Sequence, residues 1–175
     1  MTHNNEIQQA KQAYKKKEYR RAAELFARIA AEIPASEDIL LKAEMYNNSS
    51  VAWLQAGEAQ QALDAVLGTD AIFADAGDTR RQSMALGNQA AAYEALGQYE
   101  KALELYNQAS ELMKEIDDED LRAYILQNIA ALQLRSGDQL QSMASMHTAL
   151  ENKKKLSSKE KFLKRLLRIP FKLMR

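Results

Sequence analysis

Gly97-Gln98-Tyr99-Glu100-Lys101-Ala102-Leu103-Glu104-Leu105-Tyr106-Asn107-Gln108-Ala109 decides the fold, because the chain writes the same pattern again at a fixed distance. A shift of 40 residues upstream gives Gly57…Ala62-Leu63…Val66, and the same shift downstream gives Gly137…Ser142-Met143…Met146. One more shift upstream lands on Lys17…Tyr19…Ala22-Ala23…Phe26. A period in this range marks a stacked array, in which each unit buries its apolar side against the next.

Each unit reads as two helices joined by a tight turn. Leu86, Ala90, Tyr93 and Leu96 fall at helical spacing and form one buried stripe. Gly97 ends that helix in the left-handed conformation that a residue without Cβ adopts at least cost. Tyr99, Ala102, Leu103, Tyr106 and Ala109 form the stripe of the second helix. Small residues let the paired helices approach: Ala10, Ser50, Ala90 and Ala130 on one side, Ala22, Ala62, Ala102 and Ser142 on the other. Phe26, Val66, Tyr106 and Met146 fill the space between repeats. The periodicity predicts first helices over 4–16, 37–56, 79–96 and 119–136, and second helices over 19–33, 59–67, 99–116 and 139–152. Gly68-Thr69-Asp70 interrupts the second repeat, and Ile72-Phe73 is expected to cover the core as a short turn or helical extension. Ser36-Glu37-Asp38 and Asp117-Asp118-Glu119-Asp120 precede new helices, where acidic groups suit the positive end of the helix dipole. The second run lacks the spaced oxygens and glycine of a calcium loop.

These residues resemble the tetratricopeptide repeat family. Its motif has a small residue and an aromatic in the first helix, Gly-x-Tyr at the turn, then Ala, an aromatic and Ala in the second. The third copy matches almost fully. The second and fourth match well, with Ala59 and Gln139 in place of tyrosine. The first is degenerate: Lys17 stands for glycine and Ile29 for the last alanine, while Pro34 keeps the closing position. The resemblance covers residues 4–152 and is of a longer-period type, since the family's usual period is about 34 residues. HEAT and armadillo arrays run near this period too, but lack the Gly-x-Tyr-x-x-Ala-Leu turn. The expected fold is all-α: a right-handed superhelical array of four helix-turn-helix repeats (4–35, 37–76, 79–116 and 119–152) in a domain over 1–152. A basic amphipathic C-terminal helix or tail over 153–175 follows it.

In such arrays the first helices line the concave side. Asn48, Asn88 and Asn128 recur there, with Gln8 in the matching place of the first copy. An amide both donates and accepts, so a row of them suits the backbone of an extended peptide. The resemblance implies that role, and bridging between neighbouring helices is the structural alternative. Tyr14, Val51, Leu54, Met84, Tyr124 and Leu134 are expected to face the same groove and to suit a partly apolar partner, or else to pack in the core. The family's clamp for chaperone C-terminal carboxylates is not expected, because among Ile7, Lys11, Asn48, Met84 and Asn88 only Asn48 fits it.

Residues 151–175 carry ten Lys or Arg and two Glu, a net charge of +8, against −8 over the preceding 150. The overall charge of zero hides this asymmetry. Ser157-Ser158-Lys159-Glu160 reads as a capping box that opens a helix. Phe162, Leu163, Leu166, Leu167 and Ile169 then share a face against Lys161, Lys164, Arg165 and Arg168, and Pro170 is expected to end or kink the helix near Ile169. Phe171 and Lys172 continue the apolar and basic end. Three readings compete: a helix capping the array, contact with an anionic membrane surface, and nucleic-acid contact or docking on the acidic array. No reader motif supports nucleic acid.

Catalysis finds little support. The two histidines, His3 and His147, stand apart, and no phosphate loop, zinc motif or nucleophile elbow is present. With no cysteine, thiol chemistry and thiolate metal sites are excluded, and no cofactor or metal is expected. No secretory signal and no apolar run near the roughly 20 residues of a membrane span appear. The expectation is a non-catalytic cytoplasmic adaptor or assembly factor, peripheral to a membrane if the tail binds lipid, with a protein or peptide partner. The alternative is a self-association module forming homo-oligomers.

Overall fold

The computed structural model describes the backbone of residues 3–173 and the side chains of residues 3–167. Among the described residues every regular element is a helix. In chain order these are α1 (His3–Lys15), α2 (Tyr19–Glu32), α3 (Ala35–Gln55), α4 (Ala59–Val66), α5 (Thr69–Asp75), α6 (Thr79–Ala95), α7 (Tyr99–Glu115), α8 (Glu119–Arg135), α9 (Gln139–Asn152) and α10 (Ser158–Leu173). Helices α1, α3, α6 and α8 open the four repeats, and α2, α4, α7 and α9 close them. Short α5 is the extension expected around Ile72-Phe73. The chain is an all-α array of helix pairs, with the ends of α1–α4 and α6–α9 within about two residues of the sequence prediction, the usual scatter of helix boundaries.

Two packing units divide the chain, residues 1–102 and 103–175. In the first, α1 packs on α2, α2 on α3, α3 on α4, and α4 on α6, while α5 lies against α3 and α6. Its core passes through Phe26, Ile29 and Met45, then through Leu63 and Ala92 beside Trp53. In the second, α8 packs on α9 and α9 on α10, around fully buried Ile129, Leu132 and Leu150.

The small residues are buried as their steric role requires: Ala10, Ser50 and Ala90, and Ala22, Ala62 and Ala102, are sealed from solvent. A buried hydroxyl without a partner costs about 1–3 kcal/mol. Of the two serines at alanine places, Ser142 has a partner and Ser50 Oγ has none among the described residues, while the neighbouring Ser49 is paired. Ser142 Oγ donates to the Ala130 carbonyl at 2.7 Å, from α9 to α8. Ser49 Oγ donates to the Ala23 carbonyl at 2.9 Å, from α3 to α2. Each hydroxyl thereby ties two helices together.

The turns inside the repeats share one geometry. After α6, the Gly97 N–H donates to the Glu94 carbonyl and the Gln98 N–H to the Tyr93 carbonyl, with Gly97 at φ 75°. This is the two-bond Schellman closure. The degenerate first copy keeps it without glycine: Lys17 sits at φ 63°, its N–H bonded to the Tyr14 carbonyl and that of Glu18 to Ala13. A left-handed residue with a Cβ costs roughly 1–2 kcal/mol, partly offset by glycine's greater freedom in the unfolded chain. Lys17→Gly therefore raises stability by about 0.5–1 kcal/mol. Urea titration checks this, and an unchanged or lower midpoint refutes the strain.

Several joints use one aspartate twice. The Asp78 N–H closes α5 on the Phe73 carbonyl, while its carboxylate accepts from the Arg81 N–H at 2.9 Å and opens α6. Asp118 does the same between Met113 and Leu121, and Asp138 between Gln133 and Gln141. The bond from the Arg81 N–H, joined by the Arg81 side chain, holds the Asp78 carboxyl below its ordinary pKa. Asp38 caps in the same way, accepting from the Leu41 N–H at 2.8 Å. At φ −148° and ψ 80° it stands outside helical geometry, so α3 begins with one turn after Pro34 and restarts beyond Asp38.

Two expectations need correction. Tyr99 does not join the buried stripe but is 40% exposed. A helical side chain leans back over the preceding turn, and as the first residue of α7 Tyr99 has no such turn. Pro170 does not end α10, which runs to Leu173. Proline's fixed φ is itself helical, and its missing N–H removes a single bond from the last turn.

Candidate peptide-binding groove

Helices α1 and α3 are the first helices of consecutive repeats, and both pack on α2. Between them lies a cavity of about 260 Å³ lined by Lys11, Tyr14, Lys15, Phe26, Asn48 and Val51. Three residues singled out from the sequence, Tyr14, Asn48 and Val51, thus meet in one place. Phe26, expected to pack between repeats, also contributes an apolar wall. No sequence signal marks Lys15, and Lys11 stands in the clamp pattern that this chain does not complete. Both lysines are exposed and stand four residues apart on α1, hence on one face.

Aromatic and aliphatic walls supply an apolar recess, Asn48 supplies an amide, and the lysines supply positive charge at the mouth. The Tyr14 ring meets Tyr19 edge-on, with centroids 5.3 Å apart. Burial, then the neighbouring Tyr19, raises the Tyr14 pKa above its ordinary value, so its hydroxyl stays neutral. The recess can take an apolar side chain while the rim meets a carboxylate.

The other expected groove residues divide. Asn88 donates from Nδ2 to Asn47 Oδ1 at 3.1 Å, and Asn47 Nδ2 donates to the Ala43 carbonyl. Asn88 therefore bridges α6 to α3, the structural alternative to a peptide ladder. Leu54 packs with Ala62, Leu63 and Ala92 in the core. Gln8 on α1, Met84 on α6, and Tyr124 and Leu134 on α8 are exposed, and Asn128 on α8 is half-buried. His3, Glu6 and Glu32 bring ligand-type atoms within 4.8 Å of one another, but in exposed acidic company that assigns no ion.

The C-terminal helix is opened as expected. The Glu160 N–H donates to Ser157 Oγ, and the Ser157 N–H and Oγ both donate to Glu160 Oε2, at 2.8 and 2.7 Å. Lys153 Nζ donates to Glu160 Oε1 at 2.6 Å. The Lys153 bond first, then those from Ser157, pull the Glu160 pKa down to about 2. Leu167 is buried and α10 lies on α9, so α10 covers the last helix pair. Lys164 Nζ donates to the Leu150 carbonyl at 3.3 Å, whereas Lys161, Phe162, Arg165 and Leu166 face solvent. The side chains of Arg168, Phe171 and Lys172 lie outside the described residues. No helix among the described residues is long and apolar enough to cross a membrane.

Comparison with known proteins agrees with this architecture. The tetratricopeptide repeat family model matches residues 81–155. The crystal structure of BtubC (BKLC) from P. vanneervenii superposes with a TM-score of 0.71 at 18% identity, covering 90% of this chain and 68% of that one. A Podosopora anserina protein of nearly identical repeats, assigned as a kinesin light chain, superposes with a TM-score of 0.67 at 16% identity. That match covers 99% of this chain and 97% of the other. No curated protein matches the chain in sequence.

Proposed function

We propose that this chain, a tetratricopeptide repeat protein with that fold along its length, is a non-catalytic adaptor that holds a peptide segment of its partner between α1 and α3. Repeats of this family generally serve as protein-interaction scaffolds without chemistry of their own. The cavity lined by Tyr14, Phe26, Val51 and Asn48, with Lys11 and Lys15 at its edge, carries the reading. Its chemistry selects a bulky apolar side chain with a carboxylate close by. The Asn48 amide is placed to pair with the backbone between them, since it offers one donor pair and one acceptor.

Selection of a random displayed-peptide library on the full chain tests the proposal. Enrichment of sequences that pair an acidic residue with a large apolar one is the expected result. Lys11→Glu with Lys15→Glu then weakens the best peptide by at least about 10-fold, since a charge-assisted bond contributes about 1.5–3 kcal/mol. Asn48→Ala and Val51→Glu weaken it independently. No enrichment, or equal affinity in the folded variants, overturns the groove.

A further inference from the structure

We propose that α10 is a docking face for an anionic lipid surface, a role separate from the groove. One side of the helix is fixed to the protein. Leu167 is 8% exposed and packed, Lys164 reaches the Leu150 carbonyl, and the Lys153–Glu160 pair secures the first turn. A further bond, from the Lys154 N–H to Asp120 Oδ1, holds the preceding linker on α8.

The opposite side holds large apolar groups that nothing covers among the described residues. Phe162 is 64% exposed and Leu166 is 45% exposed. At 3.6 residues per turn they stand one above the other, about 100–140° around the helix from Leu167. Leu163, also exposed, borders them on the packed side. Lys161 and Arg165 are exposed one residue before each and form a parallel basic row along the other edge. A helix carrying an apolar strip beside a basic row lies in the plane of a bilayer surface, apolar side toward the acyl chains and cations among the headgroups.

Charge selects among occupants. Residues 151–175 carry +8, so two copies of this face repel each other and face-to-face pairing is disfavoured; docking on the −8 array of a second chain would satisfy the cations but not Phe162 and Leu166. Nucleic acid would meet the cations but leave Phe162 and Leu166 in water. An anionic membrane satisfies both rows, since its surface draws basic groups within a Debye length of about 8 Å and its interior accepts the rings and aliphatics.

The test is sedimentation of the full chain with vesicles of phosphatidylcholine alone and of phosphatidylcholine mixed with phosphatidylserine. The wild-type chain is expected to bind the mixed vesicles at least about 10-fold more tightly, with affinity falling as salt rises. Lys161→Gln with Arg165→Gln costs about 30-fold on those vesicles, from the contribution of each cation near the surface. Phe162→Ser with Leu166→Ser costs at least about 10-fold while circular dichroism stays unchanged, because both side chains are already in water. Equal binding to neutral and anionic vesicles refutes the proposal, as does wild-type binding by the folded serine variant. Capture on polyglutamate as tight as on vesicles and indifferent to Phe162 and Leu166 assigns an acidic protein instead. The Lys11→Glu, Lys15→Glu variant keeps its vesicle binding, so failure of the groove and failure of this face are separable.

Discussion

Phe73→Ala lowers the stability of the first packing unit by about 3–5 kcal/mol, the usual cost of emptying a buried aromatic site. Phe73 is sealed by Ala43 of α3 and Ala85 of α6, with Leu40 and Ile72 around it. The Arg81 guanidinium lies 5.0 Å from its ring centroid and also binds the Asp78 carboxylate at 2.6 Å. One ring therefore anchors α5, fills the space between two repeats and steadies the residue that caps α6. Ala43 and Ala85 line two of its sides, and a small side chain cannot swell into the vacancy. Trp53, the only tryptophan, sits in the core of the same unit, so its emission follows this unfolding during a urea titration. A loss below about 1 kcal/mol would mean that α5 merely rests on the surface.

Ile29→Ala, which restores the residue expected from the repeat motif, costs about 2–5 kcal/mol rather than stabilising. Ile29 is fully buried beside Phe26, Ile33 and Met45. The first copy departs from the motif in two places, and the departures have opposite meanings. Lys17 strains a backbone that glycine would relax, while Ile29 fills space that alanine would leave empty. Measuring both variants by the same titration separates the two mechanisms. If both moved in one direction, the motif rather than the local packing would govern stability.

Helix positions were legible because two signals coincide: apolar stripes set the faces, and left-handed closures set the ends. Asp38, Asp78 and Asp118 recur 40 residues apart, and the helix-dipole argument accounts for the first and last as charges only. Their direct bonds to backbone N–H groups were the stronger reading. The cavity was half legible. Tyr14, Asn48 and Val51 follow from the register of the first helices, whereas Lys11 and Lys15 gain meaning only when α1 stands beside α3. The pairing of Asn88 with Asn47 crosses 41 positions, and no local pattern encodes it. The exposure of Tyr99 and the passage of α10 through Pro170 depend on where a helix begins and ends, where sequence rules are weakest.

The aspartates that finish one helix while starting another have a mechanical corollary. A joint riveted at a single residue has no backlash, so a tilt imposed on one rod is handed to its neighbour instead of being absorbed. Inserting one amino acid at such a rivet would part the N–H that finishes one rod from the carboxylate that starts the next, so that a single residue could no longer hold both.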